Sequence, residues 1–174
     1  MKRYNINQAE SKAFSDATVL FSNLKIKLKS KKLSQAEHGD VEMQIKEEGY
    51  EIMRLLLQGH MDFRSENEVE LGSVRHRNVD HNYMRNNCMR TLNSLFGKVT
   101  VPRKGYSIGG EDSVFPQDAS LNLSSDQYSD GLKRQVANSV AFQSFEQSVV
   151  SIIANTASSV PNRQVKNITT GVST

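Results

Sequence analysis

The chain has 174 residues, 37% hydrophobic and 24% charged, with a formal net charge of +3. That length allows one or two domains, and that apolar content supports modest cores rather than one large one. Cys88 is the single cysteine, which excludes an internal disulfide and a cysteine zinc cluster, and no apolar run is long enough for a signal sequence or a bilayer span. The expectation is a soluble, cytoplasmic protein with no membrane partner.

Charge is spread unevenly. Residues 1–70 carry 11 basic and 12 acidic side chains, residues 71–104 carry 7 basic and one acidic, residues 105–130 carry five acids and no base, and residues 131–174 carry four bases and one acid. A basic central block and a basic end flank an acidic linker. This reads either as two surfaces for a polyanion or as an ordinary solvated basic region.

The first ten residues, Met1–Glu10, read as a polar, frayed start. From Ser11 to about Ser30 the spacing of Phe14, Ala17, Leu20 (or Phe21) and Leu24 fits a helix. Past Asn23 the alternation of Leu24, Ile26 and Leu28 with Lys25, Lys27 and Lys29 competes as a strand signal. The lysine run, extended by Lys31 and Lys32, is either a phosphate contact or a solvated helix end. Ser34–Arg64 is a clearer helix. Ser34 and Glu37 have capping-box spacing, and Val41, Ile45, Ile52 and Leu56 form its stripe. Gly49 and Gly59 weaken it by about 1 kcal/mol each against alanine. Leu55, Leu56 and Leu57 bury it nearly all round, which implies a helix pair or a homodimer seam. Residues 1–66 thus form an N-terminal helical region.

Residues 67–125 form a basic, β-containing region with an acidic linker. Val69 to Arg75 reads as one short strand and Lys98 to Arg103 as a second, with Pro102 pushing it to an edge. His76, Asp80, His81 and Cys88 lie between them, but their spacing matches no standard zinc pattern. No nucleophile set, phosphate loop or acid pair is apparent, and Asp118 reads as a cap or turn residue rather than a catalyst. Neither a cofactor nor a metal is expected.

Residues 126–174 read as three short helices. Ser129 and Asp130 cap the first, whose stripe is Leu132, Val136 and Val140. Ser144 and Gln147 box the second, which buries Phe145, Val149, Ile152 and Ile153. Pro161 suits the first turn of the third. There Val165, Ile168 and Val172 point one way, and Asn162, Arg163, Gln164, Lys166 and Asn167 the other. Such side chains read base edges and phosphates, so the last two helices fit a helix-turn-helix unit; a plain solvated face is the alternative. The fold class expected is mainly α with a small β-hairpin: an N-terminal helix pair, a short two-stranded segment and a C-terminal helix-turn-helix.

Three stretches carry a resemblance. The first is Arg90-Thr91-Leu92, then Leu95 through Arg103, then Tyr106. The second is Phe115-Pro116-Gln117-Asp118-Ala119-Ser120-Leu121-Asn122-Leu123. The third is Tyr128-Ser129-Asp130-Gly131-Leu132, Ser144-Phe145-Glu146 and Val160-Pro161-Asn162-Arg163-Gln164. In order and spacing, residues 90–170 resemble the N-terminal part of insertion-sequence transposases of the ISKra family. The resemblance implies binding of double-stranded DNA at the ends of a mobile element. The family's ribonuclease-H-like domain, with its acidic metal ligands, would follow beyond Thr174, so the chain is expected to lack a catalytic centre. A remnant, a split-frame product and an adopted fragment all fit. Some related transposases carry cysteines after the Arg and Tyr, but Ser107 to Val114 has none.

The residues expected at DNA are Asn162, Arg163, Gln164, Lys166 and Asn167 for groove contacts, and Arg75, Arg77, Arg90, Lys98, Arg103 and Lys104 for phosphates. The alternative function is a protein-interaction module or inhibitor, acting through residues 105–130 or the Ser34–Arg64 helix. A complete enzyme is the reading that the residues favour least.

Overall fold

The computed structural model describes residues 12–172, with side chains through residue 170; the expected frayed start and the inward Val172 side chain lie outside the described residues. Helix α1 (Ser15–Leu28) and the one-turn α2 (Lys31–Ser34) lead into the long α3 (His38–Glu66). The helical period prevails over the alternation in α1. Leu24 is buried and Leu28 half-buried four residues on, while Ile26 faces out. The expected Ser34–Glu37 box does not form. Instead the Ser30 hydroxyl accepts the Leu33 N–H and caps α2, and α3 begins at His38 with no side-chain cap.

Helix α1 packs along α3, where Gly59 permits a close approach. A Cβ there would meet the Ala13 carbonyl oxygen at 2.3 Å. The second flank of α3 lies on the strand Gly97–Val101 (β5). The Gln58 side-chain amide donates to Thr100 O and accepts from Thr100 N, both at 2.8 Å, so it covers the open strand edge.

The β region is three antiparallel pairs rather than one hairpin. Strands β1 (Val74–His76) and β2 (Val79–His81) form a tight hairpin through Arg77 and Asn78, both at positive φ. Strand β3 (Tyr83–Arg85) pairs with the distant β6 (Gly105–Ser107). Strands β4 (Arg90–Ser94) and β5 (Gly97–Val101) pair across a two-residue turn. Leu92, Val99 and Val101 point under α3 and meet Met61, forming one core. Pro102 falls just beyond β5, where its missing N–H interrupts no ladder. Helix α4 (Pro116–Ser120) follows, with proline in its first turn.

The second core belongs to α5 (Asp130–Phe142), α6 (Phe145–Asn155) and α7 (Asn162–Val172). Each of the three packs on the other two. Leu132, Val136, Ile152, Val160, Val165 and Ile168 are buried together with Tyr128. Ser129 caps α5 by accepting the Leu132 N–H, and Ser144 and Gln147 form the expected capping box on α6. Ile153 and Phe145, expected inside, are exposed, because Ile152 and Ser148 take the inward face of α6. Leu95 of the β4–β5 turn enters this core, and Asn93 bonds on both sides of Tyr128, to Gln127 O and from Ser129 N. The three-helix unit is therefore stitched to the hairpin.

Candidate nucleic-acid interface

Helix α7 is placed from below and from one end. Val165 and Ile168 anchor its underside in the core, and the Pro161 carbonyl accepts the Gln164 and Val165 N–H groups to start it. Pro161 thus sits immediately before the helix rather than within its first turn. The turn leading to α7 is pinned to the hairpin: Ala157 N donates to Leu95 O at 2.9 Å, and Ser158 Oγ to Ser94 O at 2.6 Å. Helix α3 holds the end of α6. Lys46 Nζ donates to Ala154 O at 3.0 Å and Tyr50 OH to Asn155 O at 2.9 Å. A cation and a hydroxyl thereby satisfy carbonyls that the helix end leaves open.

The outer face of α7 gathers the five residues expected to read DNA. Asn162, Arg163, Lys166 and Asn167 are exposed, and Gln164 is half-buried at the edge. Their side chains make no hydrogen bond or ion pair with any described residue. Gln164 and Asn167 open onto a cleft of about 360 Å³, shared with Asp126, Gln127, Lys133 and Ile168. In that cleft Lys133 reaches Asp126 at 2.5 Å. Burial pulls the Asp126 carboxyl up, but Lys133, the Tyr128 N–H and the Ser124 hydroxyl outweigh it and hold Asp126 below the ordinary aspartate value.

The six residues expected to hold phosphates separate into two groups. Lys98 is exposed on β5, with no ion pair among the described residues. Arg75 and Arg77 are exposed on the β1–β2 hairpin, where Arg75 lies 4.0 Å from its cross-strand partner Asp80. Arg90, Arg103 and Lys104 are turned inward. Arg90 and Arg103 both bind Asp118 Oδ2, with side chains only 12% and 11% exposed. Arg90 also donates to the Ser124 and Asp126 carbonyls, and Arg103 stacks over the Phe115 ring at 3.7 Å. Lys104 Nζ donates to Glu68 O at 2.8 Å and lies 3.3 Å from Glu70. These three cations hold the fold together, so the interface argued below excludes them. Asp118, read from sequence as a cap or turn residue, is the hub of that cluster. Glu68 is pushed above the ordinary glutamate value, chiefly by burial, with the Lys104 N–H pulling the other way.

Gln127 and Lys133 escaped the sequence reading. Nothing local marks them, because α7 reaches them only when the three helices close. His81 is buried, and its Nδ1 lies 3.2 Å from Val79 O. Among the described residues, no three His, Cys, Asp or Glu side chains gather as a metal site, and no helix is long and apolar enough to cross a membrane. No protein-family model, curated protein or solved structure matches the chain.

Proposed function

We propose that this chain is the sequence-specific, double-stranded-DNA-binding part or derivative of an insertion-sequence transposase. In this reading it recognises element ends and has no catalytic centre of its own. One observation carries the reading: an 11-residue helix stands on a buried underside, and its Asn, Arg, Gln and Lys side chains make no bond to any described residue. Polar groups left unsatisfied on a rigid helix are ready to bond base edges without first breaking bonds within the protein. Arg163 and Asn167 read bases in the major groove, Asn162 and Lys166 flank them, and Gln164 works from the edge. Lys98, Arg75 and Arg77 supply phosphate contacts. The transposase assignment rests on the three sequence stretches around Arg90, Phe115 and Tyr128.

A second reading is an adopted protein-interaction module. Its support is the outward side of α6, where Val150 is 68% exposed and Phe142, at the end of α5, is 88% exposed. Fluorescence anisotropy decides between the readings. The full chain is titrated with duplexes selected from a randomised pool, and with a scrambled duplex, at several salt concentrations. The DNA reading expects tighter binding to the selected duplexes, weakening linearly on a log–log salt plot. Equal weak binding to both would reduce α7 to a general polyanion surface, and no binding would favour the protein module.

A further inference from the structure

Helix α7 divides its outward residues between two flanks. Arg163 and Lys166 lie three apart on one, and Gln164 and Asn167 three apart on the other. The amide pair, not the cationic pair, lines the cleft of about 360 Å³, and a third carboxamide, Gln127, joins it there from the segment before α5. Gln127 is held in place. Its backbone carbonyl accepts the Asn93 N–H at 2.7 Å, and its side-chain nitrogen donates to the Tyr128 hydroxyl at 3.3 Å. The other amide hydrogen of Gln127 bonds to no described residue. Ile168, 8% exposed, gives the cleft an apolar wall. Lys133 reaches Asp126 and Ser124 Oγ, both at 2.5 Å, so its ammonium is committed within the protein.

This set of groups matches one kind of base pair. In the major groove an A·T pair shows the adenine N7 acceptor, the adenine N6 amino donor, the thymine O4 acceptor and the thymine methyl. A carboxamide carries a donor beside an acceptor, so it takes N7 and N6 together. Guanine shows two adjacent acceptors, N7 and O6, and suits arginine or lysine instead. The cleft offers the exposed Asn167 for N7 and N6, Gln127 for O4 and the aliphatic Ile168 for the methyl. The cations of α7 stand on its other flank.

We infer that this cleft reads an A·T base pair: Asn167 bonds N6 and N7 of the adenine, Gln127 donates to O4 of the thymine, and Ile168 packs on the thymine methyl. Gln127 is thus a specificity-determining residue supplied from outside α7. The inference rests on the reading of α7 as a DNA-contacting helix and adds which base pair it selects.

Anisotropy titration of the full chain tests it, using a duplex selected from a randomised pool with each A·T pair altered in turn. Replacing adenine by 7-deazaadenine removes N7, and replacing thymine by uracil removes the methyl, while pairing is kept. At one pair the first change should weaken binding about tenfold and the second about fourfold. Asn167→Ala should abolish the 7-deazaadenine effect at that pair, and Asn167→Arg should move the preference there to G·C. Gln127→Ala should weaken binding to the selected duplex about fivefold, yet leave binding to a duplex with G·C at that position unchanged. Asn167 and Gln127 are exposed, so these variants fold. Equal weakening of both duplexes by Gln127→Ala would overturn the inference. A sequence preference that persists with no A·T pair dependent on Asn167 and Gln127 would overturn it while leaving the DNA reading standing. No preference for the selected duplex would overturn both.

Discussion

The central basic block and the C-terminal helix unit each divide their cations between paired and free, and the free ones on α7 share a single helix face. Residues 71–104 hold seven basic side chains, but Arg90, Arg103 and Lys104 are committed to Asp118, Glu70 and backbone carbonyls. Residues 131–174 hold only four, yet Arg163 and Lys166 stand clear of every described acid. Basic density along a sequence therefore does not locate an anion-binding surface. What matters is whether each cation already has a partner, because a paired, half-buried guanidinium would have to abandon that partner to reach a phosphate.

The comparison breaks most visibly at Asp118. Asp118→Ala leaves two largely buried guanidiniums without their shared carboxylate, and should cost roughly 3–5 kcal/mol of stability in urea unfolding. A loss under 1 kcal/mol would mean that the cluster is a surface ornament and that Arg90 and Arg103 are free for DNA. Ile152→Ala tests the other region's scaffold. It should cost roughly 2–5 kcal/mol by opening a cavity under α7, and it should weaken DNA binding only through loss of folded protein. A variant as stable as the parent would remove the rigid base on which α7 is argued to stand.

Arg163→Ala sharpens the contrast from the free side. Its stability should stay within about 0.5 kcal/mol of the parent, while affinity for the selected duplex falls by roughly 1–3 kcal/mol and specificity relaxes at one base. Equal weakening on every sequence would reassign Arg163 to phosphate. The smallest effect concerns Lys133→Gln, read by carboxyl NMR titration. Asp126 has a folded-state pKa below its unfolded value, so its contribution to stability is present above the ordinary aspartate pKa and is lost as pH falls through the folded value. Removing Lys133 should move the Asp126 titration upward. No movement would show that the Tyr128 N–H and Ser124 alone hold it down.

The parts legible in the sequence are those written locally. Ser129 and the Ser144–Gln147 box mark two helix starts, and Leu132, Val136, Val165 and Ile168 mark the faces that become the second core. The long α3 follows from its apolar period, although its start moved to His38 because Ser30 caps the preceding turn instead. The strand pairing was not legible. Strand β3 finds β6 twenty-odd residues away, and no spacing in the chain announces such a partner. The same limit hid the roles of Arg90 and Arg103. Asp118 lies 28 and 15 residues from them, and only folding shows that one carboxylate serves both. At the candidate interface the outward set of α7 was readable from helical period alone, whereas Gln127 and Lys133 come from other segments and appear only in three dimensions.

The most direct test of the account is amide hydrogen exchange on the full chain, with and without a duplex selected for binding. The account predicts that protection on adding DNA concentrates at residues 162–170 and along the adjoining cleft near Gln127, with lesser protection near Lys98 and the β1–β2 hairpin. Protection confined to the Arg90–Lys104 segment, with α7 unchanged, would contradict it.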